Sequence, residues 1–162
     1  TPGLFEQFPT PADFAEAPIE EIEEAIRSTG FYRNKAKSLQ GLGQALQSDY
    51  DGEVPATMKE LSSLPGVGRK TANVVLGTAY RIPTGVVVDT HVTRISRRLG
   101  MTRQKDPVKI EQDLMDQIPT REWIDFSHRV IHLGRRVCTA RKPDCAKCSL
   151  NSFCPQIGVD GK

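Results

Sequence analysis

Apolar residues recur along this chain at helical spacing, and prolines and glycines mark where each run opens and stops. Ile19, Ile22, Ala25 and Ile26 form a stripe that Pro18 opens and Gly30 ends, with Glu20, Glu21, Glu23 and Glu24 in the first turns, where a helix dipole favours acids. Thr10-Pro11 predicts a shorter helix to about Ala17, and Tyr32 to about Tyr50 a longer one despite Gly41 and Gly43. Thr57, with Glu60 three residues on, has the form of a capping box. Arg69 to Tyr80 sets Ala72, Val75, Leu76 and Ala79 in helical register, and Thr90 opens a segment with Val92, Ile95, Ser96 and Leu99 on one face, closed by Gly100. Asp106-Pro107 starts a helix through Ile110, Leu114 and Ile118 that Pro119 ends; Trp123 to about Arg136 is the last. No repeat and no convincing strand interrupts the series, so an all-α fold is expected.

The breaks carry the chemistry. Leu64-Pro65-Gly66-Val67-Gly68 reads as a sharp reversal between two helices, because glycine reaches positive φ without steric cost. It is either a simple helix-helix corner or an anion site, with unpaired N–H groups and the positive dipole end facing a phosphate. Lys70 follows Arg69 in the first turn of the next helix. A cation there sits at the unfavourable dipole end, which favours the unprotonated, nucleophilic amine; the alternative is a solvated phosphate contact. Further on, Val86-Val87-Val88 runs into Asp89 before Thr90 and His91. Asp89 is a natural N-cap, and a carboxylate held rigidly at the edge of a core could also stabilise positive charge or help move the protons of Lys70.

All four cysteines, Cys138, Cys145, Cys148 and Cys154, fall in one short window spaced C-x6-C-x2-C-x5-C. Two disulfides would be crowded there and nothing resembles a signal peptide, so the spacing points to a metal centre, zinc or a four-iron cluster alike. His128 and His132 are four apart on the last helix, a metal-capable spacing without a third ligand, which leaves packing or hydrogen bonding. Arg141 and Lys142 form a basic loop between the first two cysteines.

Composition sharpens this. The net charge of +2 hides a division: residues 1–60 hold five Lys and Arg against eleven Asp and Glu, while residues 61–162 hold seventeen against nine. The basic part is the part with the motifs, which fits a polyanionic partner, although solvated charged faces would look the same. No stretch approaches the roughly 20 apolar residues that span a membrane. A soluble, intracellular protein is expected, with 162 residues making one or two small domains.

Taken together, Leu64 through Asn73, Val88-Asp89-Thr90-His91 and the cysteine spacing, with Gly30-Phe31-Tyr32-Arg33-Asn34-Lys35-Ala36 and Gly52-Glu53-Val54-Pro55 upstream, resemble the endonuclease III family over nearly the whole chain. The resemblance implies the helix-hairpin-helix glycosylase fold: a barrel-like helical domain at 1–85 with the hairpin at 64–72, and a cluster-bearing domain at 86–162 with its iron–sulfur loop at 138–154. It implies a bifunctional enzyme of base-excision repair that removes oxidised pyrimidines flipped out of duplex DNA and cleaves abasic sites by β-elimination. Lys70 matches the nucleophile, Asp89 the catalytic aspartate, and the four cysteines the ligands of a [4Fe-4S] cluster. Leu64, Pro65, Gly66, Val67, Gly68 and Arg69, with Arg141 and Lys142, match the DNA contacts. A lysine at position 70 also separates the chain from similar adenine-removing and thymine-mismatch enzymes. The family's N-terminal part, several tens of residues with a Ser-Ala-Gln segment, is expected to be absent here, since the chain opens where the family is inside a helix. A bacterial, cytoplasmic, nucleoid-associated monomer is expected. Two other readings compete: a non-catalytic hairpin module that only holds DNA, and a zinc-dependent DNA protein.

Overall fold

The computed structural model describes residues 2–159. Among them the elements are all helical: α1 (Pro2–Gln7), α2 (Pro11–Glu16), α3 (Ile19–Ala25), α4 (Tyr32–Tyr50), α5 (Met58–Ser63), α6 (Arg69–Thr78), α7 (Thr90–Arg98), α8 (Pro107–Gln117) and α9 (Trp123–Arg136), with 3-10 turns at Thr120–Glu122 and Cys145–Lys147. Within the described residues no helix is long and apolar enough to cross a membrane. The chain divides into two compact units, one ending at Ala72 and the other starting at Asn73.

The first unit buries Phe8, Phe14, Ile22, Ile26 and Ala36 together, with Leu4 of α1 and Ile19 of α3 packed against them. Burial of each large side chain contributes roughly 1.5–3 kcal/mol. Thr10 caps α2 in a full capping box: its hydroxyl accepts from the Asp13 amide, and the Asp13 carboxylate accepts from the Thr10 amide. The Thr10 hydroxyl, and after it the Thr10 amide, hold the Asp13 carboxyl below the usual carboxylate range. This cap is therefore complete at neutral pH and is lost as the pH falls through the lowered folded value. At Thr57 the reciprocal half differs from the sequence expectation, because Thr57 accepts from the Glu60 amide but donates its own hydroxyl to the Glu60 carboxylate at 2.6 Å.

Helix α4 runs unbroken through its glycines: Pro65 lies beside Gly41, and α2 crosses at Gly43. A Cβ on Gly43 would lie 2.6 Å from the Pro11 carbonyl oxygen and 2.8 Å from the Ala15 nitrogen. Alanine would gain about 1 kcal/mol of helix propensity, but the opposing atoms are backbone and cannot step aside. Gly43→Ala is expected to destabilise by about 2 kcal/mol, read as a lower urea midpoint at unchanged slope.

The second unit is built on Val86, Val88, Val92, Ile95, Ile110, Leu114 and Val130. The valine run lies outside any helix and is buried; the Val87 amide donates to the Ser127 hydroxyl of α9 at 2.9 Å, which fixes the segment that leads into Asp89. Buried Glu111 of α8 accepts from Asn73 at 2.9 Å, and Thr84 donates to the Asn73 carbonyl at 2.8 Å. Helices α7 and α9 approach closely at Gly134, where a Cβ would sit 2.7 Å from the His91 ring.

Candidate active site and cluster loop

In the first unit the hairpin closes through the Val67 amide donating to the Leu64 carbonyl at 3.1 Å, and α6 begins as the Ala72 amide reaches the Gly68 carbonyl at 3.0 Å. Leu64 is buried and anchors the turn, Val67 is half-buried, and Pro65, Gly66, Gly68, Arg69 and Lys70 are exposed. The two glycines differ in purpose. Gly66 has φ +75° and a hypothetical Cβ 2.7 Å from Ser38 of α4, so it is required by the turn. Gly68 lacks a positive φ and has open space around its absent side chain, which corrects the expectation that both glycines serve the reversal. It leaves the backbone bare beside a helix N-terminus whose first N–H groups have no intrahelical acceptor. Lys70 is exposed in that first turn, so burial does not desolvate its amine.

In the second unit Asp89 is the N-cap of α7. Its Oδ1 accepts from the amides of His91 and Val92, both at 2.8 Å. Oδ2 has no hydrogen-bond partner among the described residues, so one oxygen fixes the carboxylate and the other is uncommitted. The capping and chemical readings of Asp89 are thus compatible in a single side chain.

The cysteines gather at the end of α9. All four are unpaired thiols that border one cavity, together with Arg98, Val137 and Pro143. No three His, Cys, Asp or Glu side chains among the described residues converge on one ion position. Four thiols around one shared space are a donor set for a thiolate-bound metal centre. Asp144 caps the Cys145–Lys147 turn, and the Thr139 hydroxyl donates to the Lys142 carbonyl at 2.6 Å, which shapes the loop that exposes Arg141 and Lys142. His128 and His132 are both exposed on α9, so neither is a packed core histidine.

Two kinds of residue escaped the sequence. Arg94 and Arg98 of α7 turn inward: Arg94 donates to the Cys138 carbonyl at 2.8 Å and to the Gly134 carbonyl at 3.1 Å, and Arg98 reaches Cys138 itself. Their only sequence signal is a short apolar stripe interrupted by charges that would otherwise be solvated. Phe31 is the other: 86% exposed, with φ +57°, a bulky apolar side chain in left-handed backbone just before α4.

Comparison with known proteins agrees with these features. Residues 1–120 match the HhH-GPD superfamily of base excision DNA repair proteins, and residues 138–154 match the iron-sulfur binding domain of endonuclease III. The chain is 54% identical to endonuclease III of Synechocystis over 155 residues, covering 96% of this chain and 71% of that one. It superposes on a non-covalent endonuclease III–DNA complex with a TM-score of 0.90 at 48% identity, covering 96% of this chain and 72% of the other. It also superposes on a trapped endonuclease III–DNA covalent intermediate with a TM-score of 0.89 at 48% identity, covering 94% and 72%. An all-helical fold with a hairpin entering α6, a capped Asp89 before α7 and a four-cysteine loop matched by an iron-sulfur domain place this chain in the endonuclease III family of the HhH-GPD superfamily.

Proposed function

We propose that this protein is a bifunctional DNA glycosylase and abasic-site lyase of base-excision repair, acting on oxidised pyrimidines in duplex DNA with Lys70 as nucleophile. The observation that carries the reading is Lys70 itself, exposed in the first turn of α6 immediately after an exposed hairpin, in a chain of this family. A base stacked in a duplex hides its sugar carbon, so the damaged nucleotide must leave the stack first. Exposed Phe31 is suited to fill or wedge the opened step, since an apolar side chain held out by strained backbone gains nothing from water. Lys70 Nζ then forms a bond to C1′ as the bond from C1′ to the base breaks, and the base leaves with a proton. The C1′–O4′ bond then opens, O4′ taking a proton, and the aminal becomes an iminium that acidifies C2′; loss of the C2′ proton breaks the C3′–O bond, the phosphate leaves, and the strand is nicked on the 3′ side. Asp89 Oδ2 stabilises the cationic sugar and serves the proton transfers.

The hairpin amides of Gly66 and Gly68 hold a phosphate near the lesion, and Arg69, Arg141 and Lys142 add backbone contacts. The [4Fe-4S] cluster of the family's iron-sulfur domain fits the four-thiol cavity, with Cys138, Cys145, Cys148 and Cys154 as ligands. When bound, it ties the loop together and supplies no group to the lyase route. The protein acts as a monomer on chromosomal DNA in the bacterial cytoplasm.

The test is borohydride trapping and strand cleavage on duplex DNA carrying one abasic site or one oxidised pyrimidine, at stated salt because phosphate contacts make binding salt-dependent. A covalent adduct and a 3′-side nick are expected; binding without either, by folded protein, would leave only a DNA-holding module. The two hairpin glycines give a finer expectation. Gly66→Ala should lower stability by about 2 kcal/mol in urea unfolding, from the left-handed backbone and the Ser38 contact. Gly68→Ala should stay within about 1 kcal/mol of wild type. Its methyl would stand where the phosphate approaches, so binding to an abasic duplex should weaken by roughly tenfold.

A further inference from the structure

Arg98 is 7% exposed, yet no carboxylate among the described residues pairs with it. Its Nη1 donates to the Thr139 carbonyl at 2.7 Å and to Cys138 Sγ at 3.2 Å, and its Nη2 donates to the Ala140 carbonyl at 2.9 Å. The backbone carbonyl of the same residue accepts from the Ile157 amide at 3.1 Å and faces Cys154 Sγ at 3.7 Å. One residue therefore touches the first and last cysteines of the loop and the chain on both sides of it. A buried guanidinium whose other described partners are neutral carbonyls retains an uncompensated charge, which is costly in a low-dielectric site. The group beside it that carries negative charge once it ligates a metal is Cys138 Sγ. Carbonyl partners fix where the fork points; the sulfur is what the charge serves.

We propose that Arg98 is a positioning residue of the iron–sulfur centre: its fork sets Cys138 and the 139–140 backbone in place for ligation, and its charge against Cys138 Sγ raises the reduction potential of the bound cluster. The inference rests on the reading of the four cysteines as cluster ligands. A cation and an N–H donor at a ligating sulfur stabilise the more negative, reduced state, so removing both lowers the potential. Removing the fork also frees the start of the loop, so the cluster is lost faster.

The experiment uses the cluster-loaded full chain as wild type, Arg98→Gln, Arg98→Lys and Arg97→Gln, the last removing an exposed neighbouring charge. Two quantities are read: the rate at which visible iron–thiolate absorption is lost to EDTA, and the reduction potential by protein-film voltammetry. For Arg98→Gln, loss on the order of tenfold faster and a lower potential are expected, the usual scale for a disrupted partner of a metal ligand. Arg98→Lys keeps the charge without the fork, so it should lose the cluster faster while its potential stays nearer wild type. Arg97→Gln should match wild type in both. Folded Arg98→Gln that behaves like Arg97→Gln would overturn the proposal. If Arg98→Gln does not fold, Arg98→Lys decides it, and wild-type loss rates there would overturn it equally. Wild type that binds no iron would instead remove the cluster reading beneath it.

Discussion

Lys70→Ala is expected to abolish the borohydride-trapped adduct and to reduce strand cleavage at an abasic site by about 10⁴-fold or more, the scale of deleting a covalent nucleophile. The iminium can form only on an amine, and alanine leaves none at that position. Because Lys70 is exposed and makes no side-chain hydrogen bond or ion pair among the described residues, the change should leave stability within about 0.5 kcal/mol of wild type. Affinity for an abasic duplex should fall only modestly, since the hairpin amides and Arg69 remain. The measurement is therefore a pair, adduct yield and equilibrium binding on the same duplex. Lost adduct with kept binding establishes the nucleophile; an adduct that persists assigns the chemistry to another amine.

The helices were legible because their apolar stripes are long enough to repeat, as in α3, α7 and α8. Helix α1 was not, since six residues give no period; it exists because Leu4 packs against the core of the first unit. Gly43 reads locally as a weak point in α4 and is in fact a crossing point, a property of α2 rather than of its own neighbours. The candidate site divides the same way. Lys70, Asp89 and the cysteines are visible because their types and spacings are unusual, whereas Arg94 and Arg98 look like ordinary surface charges on an amphipathic helix. Their burial depends on residues about forty positions away, which no local pattern encodes. Gly68 was misread for a related reason: a glycine needed for something outside the chain looks the same, in sequence, as one needed for a turn.

Asp89 offers the second large effect, and its two oxygens allow capping to be separated from chemistry. Asn at this position keeps an acceptor for the His91 and Val92 amides, and asparagine caps helices about as well as aspartate. Asp89→Asn should therefore unfold within about 0.5 kcal/mol of wild type. It should nevertheless lose about 10²–10³-fold in the single-turnover rate of base release, because a neutral amide replaces the charge facing the cationic sugar. Asp89→Ala removes both functions: it should show a similar or larger rate loss and, in addition, a stability loss of about 1 kcal/mol from the missing cap. If the carboxylate matters only as a cap, the order inverts, with Asn retaining nearly full rate and Ala losing rate only as far as it unfolds. Urea unfolding and single-turnover kinetics on the same three proteins thus decide whether the second oxygen of Asp89 has a chemical role or is merely the unused half of a helix cap.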